Sequence, residues 1–287
     1  MSKLKIAFVG ATGMLGKPVA VALQAAGFDV RVVARNLARA RAALPAGFDF
    51  ATGDVASSQS LTQAFAGSDA VYINLATSPL ERASGFHAEL DGVRNVIAAA
   101  RQSGVRRVLY LSSLMQRFEA SSWWVLEVKR AALRLIKESG IPYTVFYPTN
   151  FMENLFHRNK QGSRINLAGT FRHRNYWIAG DDYAQQVIAA LRIAGDGNRE
   201  YVVQGPEPLT YAEAAQEFAK NYSKESLKVS RAPLPVLKAV GLFSRELRYV
   251  AHILQTVQDQ PEVFESETTW RELGRPKTTV AAYARSL

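Results

Sequence analysis

The sequence predicts an α/β fold built on a doubly wound parallel sheet, with a smaller, mainly helical substrate-side portion toward the C-terminus. Three observations predict it. Short β-branched runs alternate with helix-length segments through the first half, a glycine-rich turn joins the first run to the first helical segment, and the rhythm breaks after about residue 150. Parallel neighbours need crossover helices, so strand, helix, strand at this spacing describes a sheet covered on both faces.

The strand candidates, in order, are Leu4–Val9, Asp29–Ala34, Asp49–Ala51, Ala70–Asn74, Arg107–Ser112 and Tyr143–Tyr147. Between them Met14–Ala26, Leu37–Leu44, Ser60–Phe65, Gly85–Ser103 and Ser122–Ser139 read as helices. Gly27, Gly104 and Gly140 stand just past three of these, where a left-handed residue stops a helix. Residues 154–175 are polar, basic and weakly periodic. A helix at Asp182–Ile193 and a strand at Glu200–Val203 are expected to rejoin the parallel sheet, and the remainder is helical apart from a strand at Lys228–Arg231. The expected layout is one domain over residues 1–153, rejoined by a segment of about 177–204, and a smaller one over 154–287.

Composition narrows the function classes. Apolar residues make up 48% and charged residues 21%, the balance of a globular protein with a substantial core. Apolar runs fall short of the roughly 18 residues a membrane span needs, and Ile6–Val9 is too short for a signal peptide. With no cysteine, disulfides, thiolate metal sites and cysteine nucleophiles are excluded, and a cytoplasmic location is expected. The four histidines (His87, His157, His173, His252) lack the spacing of a helical metal pair, so no metal site is expected. The net charge of +10 lies mostly in residues 1–150, with 17 Lys/Arg against 10 Asp/Glu, and favours anionic ligands.

Gly10-Ala11-Thr12-Gly13-Met14-Leu15-Gly16 ends the first strand and opens the first helix. Gly10 permits the tight turn, Gly13 lets the backbone approach a pyrophosphate, and Gly16 clears the helix–strand packing. Free amides and the positive end of the helix then face phosphate, and Pro18 in the first turn costs no hydrogen bond. The context is that of a dinucleotide-binding Rossmann domain, with Thr12, Met14 and Leu15 beside the pyrophosphate. At the end of the second strand an NAD site places a carboxylate for the ribose 2′-hydroxyl. Here the sequence is Val32-Val33-Ala34-Arg35-Asn36. Arg35, with Asn36 beside it, suits a 2′-phosphate and the adenine face, and Arg39 or Arg41 could assist, so NADP(H) is the expected cofactor. Asp54 can accept from the adenine amino group with Val55 lining the ring, or simply start a helix. Leu75, Ala76 and Thr77, after the fourth strand, would follow the ribose.

The glycine spacing, Arg35, Gly53-Asp54-Val55, Ser112-Ser113, the segment Ser139 to Asn154, Asp182-Tyr183-Ala184, Gly205-Pro206-Glu207 and Leu209-Thr210 resemble the NmrA-like branch of the atypical short-chain dehydrogenases/reductases. The resemblance covers nearly the whole chain and weakens after about residue 230. It implies a substrate cleft between the C-terminal edge of the sheet and the small domain. It also implies that Tyr147, Pro148, Thr149, Asn150 and Phe151 pass the nicotinamide. The branch includes quinone reductases, phenylpropanoid reductases and nucleotide-sensing regulators.

Most short-chain dehydrogenases carry Tyr and Lys four apart on one helix. This chain has Lys129 with Val125 four before it, and no Tyr-x-x-x-Lys anywhere. Lys129 falls about 130° from the centre of the polar face of its helix, in line with Val125, Ala132, Leu133 and Ile136. An ammonium on an apolar stripe must find a partner or snorkel out. By resemblance it would be a general acid/base or a ribose ligand, and its replacement by Ala is expected to leave the fold intact. Ser112 at a strand end is a candidate cofactor or substrate contact, and Tyr147 a substitute proton donor. Between residues 154 and 180, Arg158, Lys160, Arg164, Arg172 and Arg174 accumulate without an acidic residue, followed by Tyr176 and Trp177. A solvated loop over the cleft, an entrance for an anionic substrate, and nucleic acid, the least favoured, are the three readings. Trp123 and Trp124 either line a pocket for a flat substrate or staple a helix.

The sequence therefore supports an NADPH-dependent reductase passing hydride to a small flat carbonyl, quinone or enone. The competing reading is a non-catalytic NADP(H) sensor that regulates a protein partner. An epimerase is disfavoured because it leans on the missing tyrosine.

Overall fold

The computed structural model describes residues 3–117, 123–193, 195–258 and 260–287. The chain opens with β1 (Lys5–Val9), α1 (Gly16–Ala25), β2 (Asp29–Ala34), α2 (Leu37–Ala43), β3 (Asp49–Thr52), α3 (Ser58–Phe65) and β4 (Ala70–Ile73). A single π-helical turn at Ala88–Gly92 leads into α4 (Val93–Gln102), then β5 (Arg107–Leu111), α5 (Trp124–Lys137), β6 (Tyr143–Pro148) and β7 (Asn150–Phe151). Short strands β8 (Lys160–Gln161), β9 (Arg164–Ala168) and β10 (Asn175–Ile178) precede α6 (Gly180–Arg192), β11 (Arg199–Val203), β12 (Pro208–Leu209), α7 (Tyr211–Asn221) and β13 (Lys228–Ala232). Four helices end the chain: α8 (Leu234–Gly241), α9 (Arg245–Gln258), α10 (Glu267–Leu273) and α11 (Val280–Ser286).

The central sheet has seven parallel strands in the order β11-β6-β5-β4-β1-β2-β3. This is the doubly wound α/β architecture the sequence predicts. The order reverses between β1 and β4, and in open α/β sheets that switch point creates the ligand crevice beyond the strand C-termini. Alternation along β1 splits the core. Ile6 and Phe8 pack with α1 and α6 on one face, while Ala7 and Val9 pack with α3, α4 and α5 on the other. On the first face the Tyr72 and Tyr183 hydroxyls meet at 2.5 Å, so each buried phenol has a partner. A third apolar cluster, including Met152, Ile165, Trp177, Phe218 and Tyr283, lies under α7 and α11.

Two regions differ from the sequence reading. The stretch after Asn154, expected to be irregular, forms a π turn (Leu155–Asn159) and the strands β8 and β9, with β13 pairing parallel to β9. Its short alternation, with Ile165 and Leu167 buried between polar neighbours, was masked by the density of basic residues. The helix expected from Gly85 starts at the π turn instead, because the His87 carbonyl accepts from the Leu90, Asp91 and Gly92 amides together. That widened turn rotates Glu89 inward, where it is fully buried. Gly27, Gly104 and Gly140 have the left-handed backbone their helix-stop positions require.

Candidate active site

The glycine loop occupies the switch point. Gly10 has φ +88, and a Cβ there would lie 2.0 Å from the Asn74 carbonyl oxygen; one on Gly16 would lie 2.1 Å from the Gly10 carbonyl oxygen. Protein packing alone therefore demands glycine at both positions. Gly13 is different. A Cβ there meets nothing nearer than the Gly10 carbonyl oxygen at 3.4 Å, so the space it leaves open faces outward, where a ligand backbone would approach. The first turn of α1 carries no side-chain cap and no acidic residue. Among the described residues the amides of Thr12, Met14 and Leu15 have no hydrogen-bond partner. Uncapped donors at the positive end of a helix suit a diphosphate. Gly13→Ala is expected to fold normally but to lose about tenfold or more in dinucleotide affinity, whereas Gly10→Ala should not give folded protein. Circular dichroism and a nucleotide titration check the pair.

Arg35 leaves the end of β2 exposed and, among the described residues, without a hydrogen bond or ion pair. Its neighbours are committed elsewhere. Asn36 caps α2 by accepting from the Arg39 amide at 2.9 Å, and the Arg41 guanidinium lies 4.5 Å over the Phe50 ring. The Arg41 side chain and the Asn36 amide are thus engaged locally, while the exposed Arg39 guanidinium has no hydrogen bond or ion pair among the described residues. Asp54 accepts from the Ala56 amide at 2.9 Å, the local turn expected from its bland reading, which leaves one carboxylate oxygen for a ligand. Val55 is held by Asn95 through its carbonyl at 2.8 Å and packs beside Gly92.

The centre of the site is an ion pair. Lys129 Nζ lies 2.5 Å from Glu89 Oε1, and the Lys129 side chain keeps 16% exposure while Glu89 keeps none. Lys129 sits on the buried stripe of α5 with Val125, Ala132, Leu133 and Ile136, as the helical wheel requires. Glu89 has four donors in all. Besides Lys129, it accepts from the Thr77 amide (3.0 Å) and hydroxyl (2.9 Å) at Oε2, and from the Tyr110 hydroxyl (3.4 Å) at Oε1. Burial, and then the Glu89 charge, push the Tyr110 phenol well above its ordinary range, so it stays protonated. Ser112, just past the end of β5 and two residues on from Tyr110, is buried with its side chain toward the Tyr110 hydroxyl. Sequence reasoning missed Glu89 and Tyr110.

Several expected contacts are corrected. The Thr77 amide and hydroxyl turn inward to Glu89, so only Leu75 and Ala76, half-buried and exposed respectively, border open space. Tyr147 donates to Glu200 Oε2 at 2.5 Å, and Glu200 also pairs with Lys137 at the end of α5. Crossover helices run against the strands, so this end lies at the N-terminal edge of the sheet, away from the cleft. Burial and the Glu200 hydrogen bond also raise the Tyr147 pKa far above the phenol range. In this arrangement the Tyr147 hydroxyl is engaged with Glu200. Thr149 donates to Glu262 at 2.6 Å, Asn150 accepts from Tyr211 at 2.5 Å, Phe151 is buried, and Pro148 ends β6. These side chains tie the loop to the C-terminal half. Trp177, a proposed stacking platform in the basic stretch, is 1% exposed and donates to the Leu209 carbonyl, while Lys160 and Arg174 pair with Glu225 and Glu213. Trp123 and Trp124, by contrast, line a cavity of about 770 Å³.

The described residues contain no group of three or more metal-ligating side chains, and no described helix is long and apolar enough to cross a membrane. The model of the NmrA-like family matches residues 2–283. The (4-alkanoyl-5-oxo-2,5-dihydrofuran-3-yl)methyl phosphate reductase of Streptomyces griseus is 30% identical over 224 residues, covering 75% of this chain and 73% of the relative. The photosystem II assembly factor Ycf39 of Cyanophora paradoxa is 24% identical over 245 residues, covering 82% and 74%. The NADPH complex of the Escherichia coli quinone oxidoreductase QOR2 superposes with a TM-score of 0.72 at 24% identity, covering 97% of this chain and 98% of that one.

Proposed function

This chain belongs to the NmrA-like family, and on that premise we propose that it is an NADPH-dependent reductase of small, flat, conjugated carbonyl or quinone acceptors. One observation carries the reading. The uncapped start of α1 and the open face at Gly13 lie at the sheet edge where Arg35 leaves β2, its guanidinium without a hydrogen bond or ion pair among the described residues. Gly10, Thr12, Gly13, Met14 and Leu15 would hold the pyrophosphate, Arg35 the 2′-phosphate, and Lys129 the nicotinamide ribose or the proton.

When bound, the dinucleotide supplies a hydride. The chain's own part is positioning and proton handling. An ammonium has three donors, and Glu89 takes one of them, leaving Lys129 with two to offer toward the cleft. Glu89 also keeps the ammonium in place, while the Thr77 and Tyr110 donors share its charge. A quinone can take its proton from water, which suits a site whose helix lacks the usual tyrosine. The S. griseus relative is named as the reductase of an alkanoyl-oxo-dihydrofuranyl methyl phosphate, and the E. coli neighbour is named an NADPH-dependent quinone oxidoreductase, so both agree with this reading.

NADPH is expected to bind at least about tenfold more tightly than NADH, and Arg35→Ala to erase the difference, a change of about 1.4 kcal/mol. Isothermal titration measures both. Equal affinities in the wild type would remove the 2′-phosphate assignment. NADPH oxidation against quinones and enones tests the reaction, and failure across the panel despite tight binding would favour the second reading. That reading, a nucleotide-responsive regulator without turnover, draws on the likeness to an assembly factor.

A further inference from the structure

The cavity lined by Trp123 and Trp124, which Tyr249 and Thr77 connect to the Lys129–Glu89 pair, has a charge and shape that narrow the acceptor further. We propose that it takes planar aromatic acceptors bearing an anionic substituent, a carboxylate, sulfonate or phosphate; this rests on the reductase reading above. Its volume of about 770 Å³ is that of a small-molecule site. One wall is aromatic. The Trp123 ring stacks with His252 (5.9 Å between centroids, 13° between planes) and meets Tyr249 edge-on at 5.1 Å. A flat ring system laid along this wall replaces water on an apolar surface already held rigid by its neighbours.

The rim is cationic. Arg82, Arg245 and Arg248 all border the cavity, and among the described residues none of them forms an ion pair. Arg245, Arg248, Tyr249 and His252 fall at successive helical spacings on α9, so one face of that helix offers both charge and ring. Glu81, the only carboxylate among the described lining residues, is committed to the Ser78 amide at 2.8 Å and to His87 at 3.1 Å. The cavity therefore presents an uncompensated positive rim around an aromatic floor. A guanidinium recognises planar oxyanions through paired donors.

The cavity is coupled to the chemistry through one side chain. The Tyr249 hydroxyl donates to the Thr77 carbonyl at 3.3 Å, and the same Thr77 donates twice to Glu89. An acceptor stacked along Trp123 thus lies one residue from the group that holds Lys129.

The test uses a matched pair, 1,2-naphthoquinone and its 4-sulfonate, with the whole protein. At low salt the sulfonate is expected to show a KM about tenfold below the parent quinone, and the gap should shrink as ionic strength rises. Arg82→Glu combined with Arg245→Glu should raise KM for the sulfonate at least about tenfold and leave the parent quinone within about twofold. Arg248 is left alone because it caps α8 through the Gly241 and Leu242 carbonyls. Quenching of tryptophan fluorescence by the sulfonate gives a binding readout that needs no turnover. Reduction of both quinones with equal KM overturns the inference and leaves the reductase reading standing. Salt-sensitive quenching that the double variant abolishes, with no NADPH oxidation, supports the site while removing the reductase reading. Quenching unchanged in the double variant, or absent, overturns the site.

Discussion

Replacing Lys129 by Met is expected to cut kcat by about 10²–10⁴-fold, the range for losing a positioned proton-transfer group, and to destabilise the fold by about 3 kcal/mol. The second effect reverses what the sequence alone suggests, which is a lysine removable without structural cost. The difference is Glu89. Its carboxylate is fully buried, and without Lys129 it keeps only the Thr77 donors and a long contact to Tyr110. Removing one member of a buried pair costs more than the pair was worth, because the survivor has left water without compensation. Those remaining donors place the loss at the lower end of the usual range. Glu89→Gln should destabilise less, since an amide still accepts from Thr77. The double variant should recover most of the stability while remaining inactive, giving a coupling energy of about 1–3 kcal/mol. Urea unfolding of the four proteins supplies the cycle, and NADPH oxidation the activity. Additive losses would mean that the two side chains do not meet in solution. Undiminished turnover by Lys129→Met would remove the lysine from the mechanism.

How much of this was legible in the sequence depends on range. The conformation of the glycine loop was, because Gly10 and Gly16 answer a local turn and a local packing contact. So was the orientation of Lys129, since the helical repeat fixes which side chains share a face. Its partner was not. Glu89 lies 40 residues earlier, inside a segment that reads as ordinary amphipathic helix, and a single π turn decides that it faces inward. No local periodicity encodes a turn made by one carbonyl accepting three amides. Tyr147 shows a related limit. Alternation along β6 assigns its face, but Glu200, 53 residues later on the neighbouring strand, decides which end of the sheet the hydroxyl reaches.

The C-terminal half was less legible for the same reason. Its helical character was recognisable, but apart from the helix at Asp182–Ile193 neither the individual helices nor their partners were. The cavity wall joins Trp123 on one side to Tyr249 and His252 on the other, more than a hundred residues apart. The basic stretch likewise misled by composition. Lys160 and Arg174 are answered by Glu225 and Glu213 from segments that sequence proximity does not associate with them. Meanwhile the uncompensated arginines that line the cavity lie outside that stretch altogether.

Replacing Glu153 by Gln is expected to stabilise the protein by about 2–3 kcal/mol at pH 8, against the usual rule that altering a buried polar group is harmful. Glu153 is 7% exposed; its Oε1 accepts from the Gly180 amide at 2.7 Å, its own backbone amide also favours the charged carboxylate, and no other described residue donates to its Oε2. Burial is the main reason its pKa is pushed up to about 7; the two backbone hydrogen bonds oppose that rise, and the charges of Asp181 and Asp182 add to it. The sign follows from linkage. Below the ordinary glutamate range both folded and unfolded chains carry the proton, and the group contributes nothing. As pH rises from about 4.5 to about 7 the unfolded chain ionises first, so stability falls through that window and then levels off. Glutamine keeps a carbonyl oxygen for Gly180 but has no proton to lose, so its advantage should appear through the same window and vanish near pH 4.5. Asp49, Asp69, Asp91 and Glu213, held below their ordinary ranges, act oppositely: their stabilisation is lost as pH falls through the lower range, whereas burial raises Glu262 in the same sense as Glu153, so it is the difference between the two proteins that isolates Glu153. Urea unfolding of both proteins from pH 4.5 to 8 reads the difference directly. Parallel curves would show that the second carboxylate oxygen is hydrated or paired in solution. Convergence at the acid end alone would show that the ionised Glu153 carboxylate, buried and close to the charges of Asp181 and Asp182, costs the fold stability.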